Sequence, residues 1–138
     1  MAAFYLFAVP VQATTHSVSG GGFSSPYYAL SPALPSSFSA GTTYTFNAAG
    51  ISSYHPFRIG TARGSTPAWV TGSTGGMTGS SGTITVAVPS DYTGSVVYYC
   101  NAHGSMTFTK SVTGGVAVSS PPPPSPLPPP PSPSPPPP

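Results

Sequence analysis

The chain has 138 residues, and the last 18, Pro121 to Pro138, hold 14 of its 21 prolines, so about 120 residues (138 − 18) remain to build a core. That is enough for one domain and not for two. Charged residues make up 3% of the chain, against about 25% in an ordinary soluble domain, and they are four individuals: Arg58, Arg63, Asp91 and Lys110. A lone carboxylate excludes a paired acid and base and a carboxylate cage for calcium or magnesium. No stripe of Lys or Arg offers to neutralise phosphates and no glycine loop leads into Lys-Ser/Thr, so neither nucleic acid nor a nucleotide is an expected ligand. No apolar run is long enough to span a membrane.

Residues 1–13 (MAAFYLFAVPVQA) begin with an apolar stretch, Phe4 to Val11, followed by small residues at cleavage-site spacing but without a basic start. They read either as a signal-like segment or as an extra N-terminal strand, which Pro10 would confine to an edge. His16 has no partner at ligand spacing and is expected at the surface.

From Thr14 to Ser119 glycine and proline recur too often for helices of ordinary length. Between them run β-branched and aromatic residues with period two: Tyr44/Phe46, Ile84/Val86/Val88, Val96/Tyr98/Cys100 and Val116/Val118. This predicts an all-β sandwich of about seven to eight short, half-buried antiparallel strands. Within it, Tyr54, Tyr98 and Tyr99 are expected to pack the sandwich. Trp69 is expected in the core or as a sheet-edge cover, Arg58 and Lys110 on solvated faces, Asp91 in a turn, and Gly72 to Gly82 as a mobile loop.

The chemistry lies in Cys100-Asn101-Ala102-His103-Gly104-Ser105-Met106, a Cys-x2-His-x2-Met run at a strand end, with Gly104 expected to permit the turn. Cys100 is the only cysteine and cannot form an internal disulfide. Thiolate, imidazole and thioether are donors that a copper site selects, and such a site needs a second imidazole. His55, in Tyr54-His55-Pro56-Phe57, is the candidate. Each residue also has a structural reading: His55 as a turn residue, Met106 as core filler, Cys100 as a small hydrophobe on the parity of Val96 and Tyr98.

The set of His55 followed by Cys100, His103 and Met106 resembles the cupredoxin, or blue-copper, family over roughly residues 14–119. The amicyanin-like branch has this Cys-to-Met spacing. The resemblance implies a Greek-key sandwich, type 1 copper held by His55, Cys100, His103 and Met106, and a last strand from about Thr107 to Val118. Met77 is the alternative axial thioether. Four protein ligands would leave no open position for substrate, so an enzyme is not expected. The acidic patch of plastocyanins is missing, so any redox partner would dock loosely or through apolar surface.

Residues 120–138 are Pro/Ser-rich and are expected to form a polyproline II stalk. Ser followed by proline runs resembles the extensin and pherophorin class of hydroxyproline-rich glycoproteins, which implies O-linked glycans and an extracellular, cell-wall location. With so few charges, the chain reads foremost as a structural subunit that self-associates into a wall or filament, an apolar N-terminal strand adding to a neighbour's sheet edge. A soluble copper electron-transfer protein is the alternative.

Overall fold

Nine strands in two sheets make up the computed structural model, which describes residues 13–72 and 75–115 together with Ser125 and Leu127. The strands are β1 (Ala13–Gly20), β2 (Tyr28–Ser31), β3 (Phe38–Ser39), β4 (Thr43–Ile51), β5 (Phe57–Gly60), β6 (Val70–Gly72), β7 (Thr83–Ala87), β8 (Ser95–Cys100) and β9 (Thr107–Thr113). One sheet has the order β2-β1-β4-β7-β6 and the other β3-β9-β8-β5, and no helix occurs among the described residues. The all-β sandwich expectation holds, with slightly more strands than anticipated. The chain changes sheet after β2, β3, β4, β5 and β7, in keeping with Greek-key connectivity.

The period-two residues form the core. Tyr44 and Phe46 of β4, Ile84 and Val86 of β7, and Val96 and Tyr98 of β8 turn inward and meet Phe57, Ile59 and Val18 between the sheets. Each fully buried aliphatic or aromatic side chain contributes roughly 1.5–3 kcal/mol by leaving water.

Several expectations are corrected. The sheets are mixed: β1 runs parallel to β4 and β3 parallel to β9. Period two reports which face a side chain takes and is blind to the direction of the neighbouring strand. β8 is buried on both faces, because Val97 and Tyr99 are covered from outside as well. Residues 75–82 are tied down: Met77 exchanges both main-chain bonds with Phe57, and Gly79 bonds Ile51 in the same way. Paired backbone removes the freedom that low complexity suggested.

His16 is 3% exposed, not on the surface. It shares the inward parity of Val18, stacks on Phe46 at 5.4 Å between ring centroids, and sets Nδ1 2.6 Å from the Pro32 carbonyl oxygen. Tyr54, by contrast, stands 79% exposed on the turn after β4. Lys110 is half-buried, donating to the Pro35 carbonyl at 2.8 Å, and Arg58 is half-buried too. Trp69 lies half-buried against Tyr92, as an edge cover does, and Asp91 is exposed shortly before the start of β8. The expectations for residues 1–12, for Val116 and Val118, and for the proline stalk lie outside the described residues.

Candidate metal centre

Register brings the distant histidine to the cysteine. β5 and β8 pair antiparallel with Phe57 opposite Cys100, so His55, two residues before Phe57, lies at the end of β8 where the sulfur is. The turn that presents it is closed by His55 N–H donating to the Ser52 carbonyl at 3.0 Å, and Pro56 fixes the backbone before β5 begins. The Tyr28 hydroxyl donates to the His55 carbonyl at 2.8 Å and steadies the turn from β2.

The other donors sit on one tight turn between β8 and β9. Cys100 N–H donates to the Met106 carbonyl at 2.9 Å, and Met106 N–H donates to the His103 carbonyl at 3.3 Å. The Cys100-to-Met106 segment is thereby folded back on itself, with all three donor residues on one closed loop. Gly104 is not what permits this. It lacks the positive φ found at ten other glycines, and a side chain there would meet open space.

Within this frame Cys100 Sγ lies 3.5 Å from His103 Nδ1 and 3.8 Å from His55 Nδ1. One ligand atom from each of His55, Cys100 and His103 fits within 4.8 Å of the others. Cys100 and His55 are buried, His103 is half-exposed, and Met106 is fully buried beside them. Met77, the alternative thioether, is a buried core residue tied by main chain to Phe57, whereas Met106 belongs to the turn itself.

Three residues to which the sequence assigned no role shape the site. Phe23 is 69% exposed and stands edge-on to both imidazoles, 4.7 Å from the His55 ring and 5.3 Å from the His103 ring. Tyr28 belongs to the same buried cluster as Cys100. Its phenol is held far above its ordinary range, first by burial and then by the charge and hydrogen bonding of Cys100. Arg63 donates to carbonyls of the turn. Only the aromatic character of Phe23 and Tyr28 and the scarcity of cations hinted at these roles, since each arrives from a separate loop or strand.

One glycine is required here. At Gly21, φ is +101°, and a Cβ would lie 2.9 Å from the His55 Cβ and 3.3 Å from that of Ser52. The β1–β2 loop therefore rests directly on the His55 turn and carries Phe23 over the imidazoles.

The donor set fits copper. One thiolate-forming sulfur, two imidazole nitrogens and a buried thioether suit a soft, borderline ion and not calcium or magnesium, which take oxygen. Asp91 supplies no carboxylate to compete, because it precedes the opposite end of β8. The chain matches no family model, no curated protein and no solved structure.

Proposed function

We propose that this chain is a copper-binding domain of the blue-copper type, carried outside the cell on a glycosylated, hydroxyproline-rich stalk as a structural subunit of a wall or fibrous assembly. The convergence of one ligand atom each from His55, Cys100 and His103 within 4.8 Å, with Cys100 Sγ 3.8 and 3.5 Å from the two Nδ1 atoms, carries the metal half of this reading. Bound copper would supply one-electron chemistry, passing between its cuprous and cupric states. The protein's part is to present the Cys100 sulfur, the His103 imidazole and the Met106 sulfur from the closed turn between β8 and β9, and the His55 imidazole from the turn before β5. Burial of Cys100, His55 and Met106 keeps water from three of the donors, and the Phe23 ring stands edge-on to both imidazoles. With four protein ligands no position is left for a substrate, and so the reading is not an enzyme.

Support for the extracellular half comes from the composition of residues 120–138 and the near absence of charge. A second reading, a soluble electron carrier, is favoured by His103. It alone of the three converging residues is half-exposed, which gives an edge through which an electron can leave.

The test of the metal half is an absorption and electron paramagnetic resonance spectrum after adding Cu(II), beside Cys100→Ser. An intense visible thiolate band, lost in the variant, is the expected result. A protein that takes up zinc but shows no such band with copper overturns the blue-copper reading, because zinc accepts the same donors in tetrahedral array. For the assembly half, mass spectrometry of the native protein should find hydroxyproline and sugar on residues 120–138. Deletion of residues 1–13 should abolish assembly, and assemblies that persist unchanged rule out strand donation.

A further inference from the structure

Among the four charged residues, Arg63 has the most specific placement. Its guanidinium donates to three carbonyls of the ligand turn: Cys100 at 2.6 Å, Asn101 at 3.2 Å and His103 at 3.0 Å. It also lies over the Tyr99 ring, 5.3 Å from the centroid, and the neighbouring Gly64 N–H donates to the Tyr99 hydroxyl at 3.0 Å. The side chain that closes the outer face of β8 and the turn that follows it are thus held by the same two residues.

The loop that presents Arg63 is itself fixed. Thr61 N–H donates to the Ser65 carbonyl at 3.1 Å, and Ser65 N–H donates back to the Ala62 carbonyl at 3.0 Å. A Cβ at Gly60 would lie 2.0 Å from the Ser65 carbonyl oxygen, so only glycine at 60 allows the loop to fold back this tightly. Arg58 adds a longer contact, Nη1 to Asn101 Oδ1 at 3.4 Å. Planar guanidinium suits this task, since its donors form a rigid fork that reaches several acceptors at once, which an ammonium cannot do.

The geometry points to Arg63 as the positioning residue of the metal centre, a guanidinium that gathers the main chain from Cys100 to His103 so that sulfur and imidazole converge before metal binds. The link to copper rests on the reading proposed above, but the clamp does not. Two consequences separate. As geometry, Arg63 restrains the turn in the metal-free protein. As charge, it sits on the Cys100 and His103 carbonyls with no carboxylate bonded to it among the described residues, and so favours the state of the centre with less positive charge.

The experiment uses the full chain and the variants Arg63→Lys and Arg63→Ala, each checked for native circular dichroism. Amide exchange of the metal-free proteins is read at Cys100 and Met106, the two N–H groups that close the turn. The expected result is at least tenfold faster exchange at both in Arg63→Ala, an intermediate effect in Arg63→Lys, and no change in β4 and β7. Unchanged exchange at Cys100 and Met106 overturns the clamp, whatever the protein does with copper. If Arg63→Ala does not fold, Arg63→Lys carries the comparison by the same criterion.

With Cu(II) added, the thiolate band should move in both variants under conditions where all three proteins are fully folded, and cuprous over cupric preference should fall in Arg63→Ala but be retained in Arg63→Lys. A band and potential identical in all three reduce Arg63 to a structural residue and overturn the positioning role. Accelerated exchange in a protein whose wild type shows no blue band sinks the copper reading and leaves the clamp standing.

Discussion

Phe57 and Cys100 face one another across the β5–β8 pair, and this single register joins His55 to a thiol 45 residues further along the chain. Because His55 sits in a turn and not in the strand, its position depends on what packs against that turn. Gly21 packs directly on that turn: its φ is +101°, and a Cβ there would approach the His55 Cβ to 2.9 Å.

Gly21→Ala should therefore cost stability and disturb the site together. A side chain in this backbone region costs about 1–3 kcal/mol, before the clash with His55 is added. The expected outcome is a urea midpoint lowered accordingly, with metal affinity reduced by at least tenfold. Gly22→Ala, where a side chain would meet open space, is the control and should move neither quantity appreciably. Equal effects from both would show that the loop does not bear on His55.

Much of this centre was readable from sequence for a local reason. Cys100, His103 and Met106 fall within seven residues, so their spacing alone puts them on one turn. His55 needed chemistry as well, being the imidazole beside a strand start. Phe23, Tyr28 and Arg63 were not readable, since nothing in their local sequence says which turn they pack against. The two-sided burial of β8 escaped for the same reason: alternation suggests one wet face, and the cover over Tyr99 comes from residues 63–64.

His16 and Tyr54 reverse their expected places, and mutagenesis can show it. A signal for His16 was present, as it shares the parity of Val18 while Thr15 and Ser17 face out, but a solitary histidine among serines and threonines masks an inward face. His16→Ala removes a buried ring and its contact with the Pro32 carbonyl, and should cost about 2–4 kcal/mol. Tyr54→Ala, on an exposed turn, should stay within about 0.5 kcal/mol. Chemical denaturation of both variants measures the contrast. A neutral His16→Ala would return that residue to the surface.

Alkaline pH should weaken the metal-free fold in a defined window. Burial pushes the Tyr98 phenol from the ordinary value of 10.0 up to about 12, and holds Tyr28 higher still. Between these values the unfolded chain releases phenolic protons that the native protein retains, so the unfolded state binds fewer protons and stability falls as pH rises. The contribution is fully present below about pH 10, where tyrosine is protonated in both states, and is lost through about pH 12 as Tyr98 ionises. Urea midpoints should decline across this window, and Tyr98→Phe should flatten part of the decline. A Tyr98→Phe protein with an undiminished slope would place the linkage elsewhere.

The choice between two buried methionines rests on where their main chains are tied. Met106 N–H and carbonyl close the ligand turn with His103 and Cys100, whereas Met77 exchanges both of its main-chain bonds with Phe57. Leucine keeps nearly the volume of methionine, so Met106→Leu and Met77→Leu should each cost less than about 1.5 kcal/mol and leave the fold intact. They should part company once copper is added. Losing a thioether from the centre changes the electronic balance at the metal, because the weak axial donor tunes the potential. Met106→Leu should accordingly shift the visible spectrum and raise the reduction potential, while Met77→Leu leaves both at wild-type values. The reverse pattern would assign the axial sulfur to Met77, and shifts in neither variant would mean that the centre is held by His55, Cys100 and His103 alone.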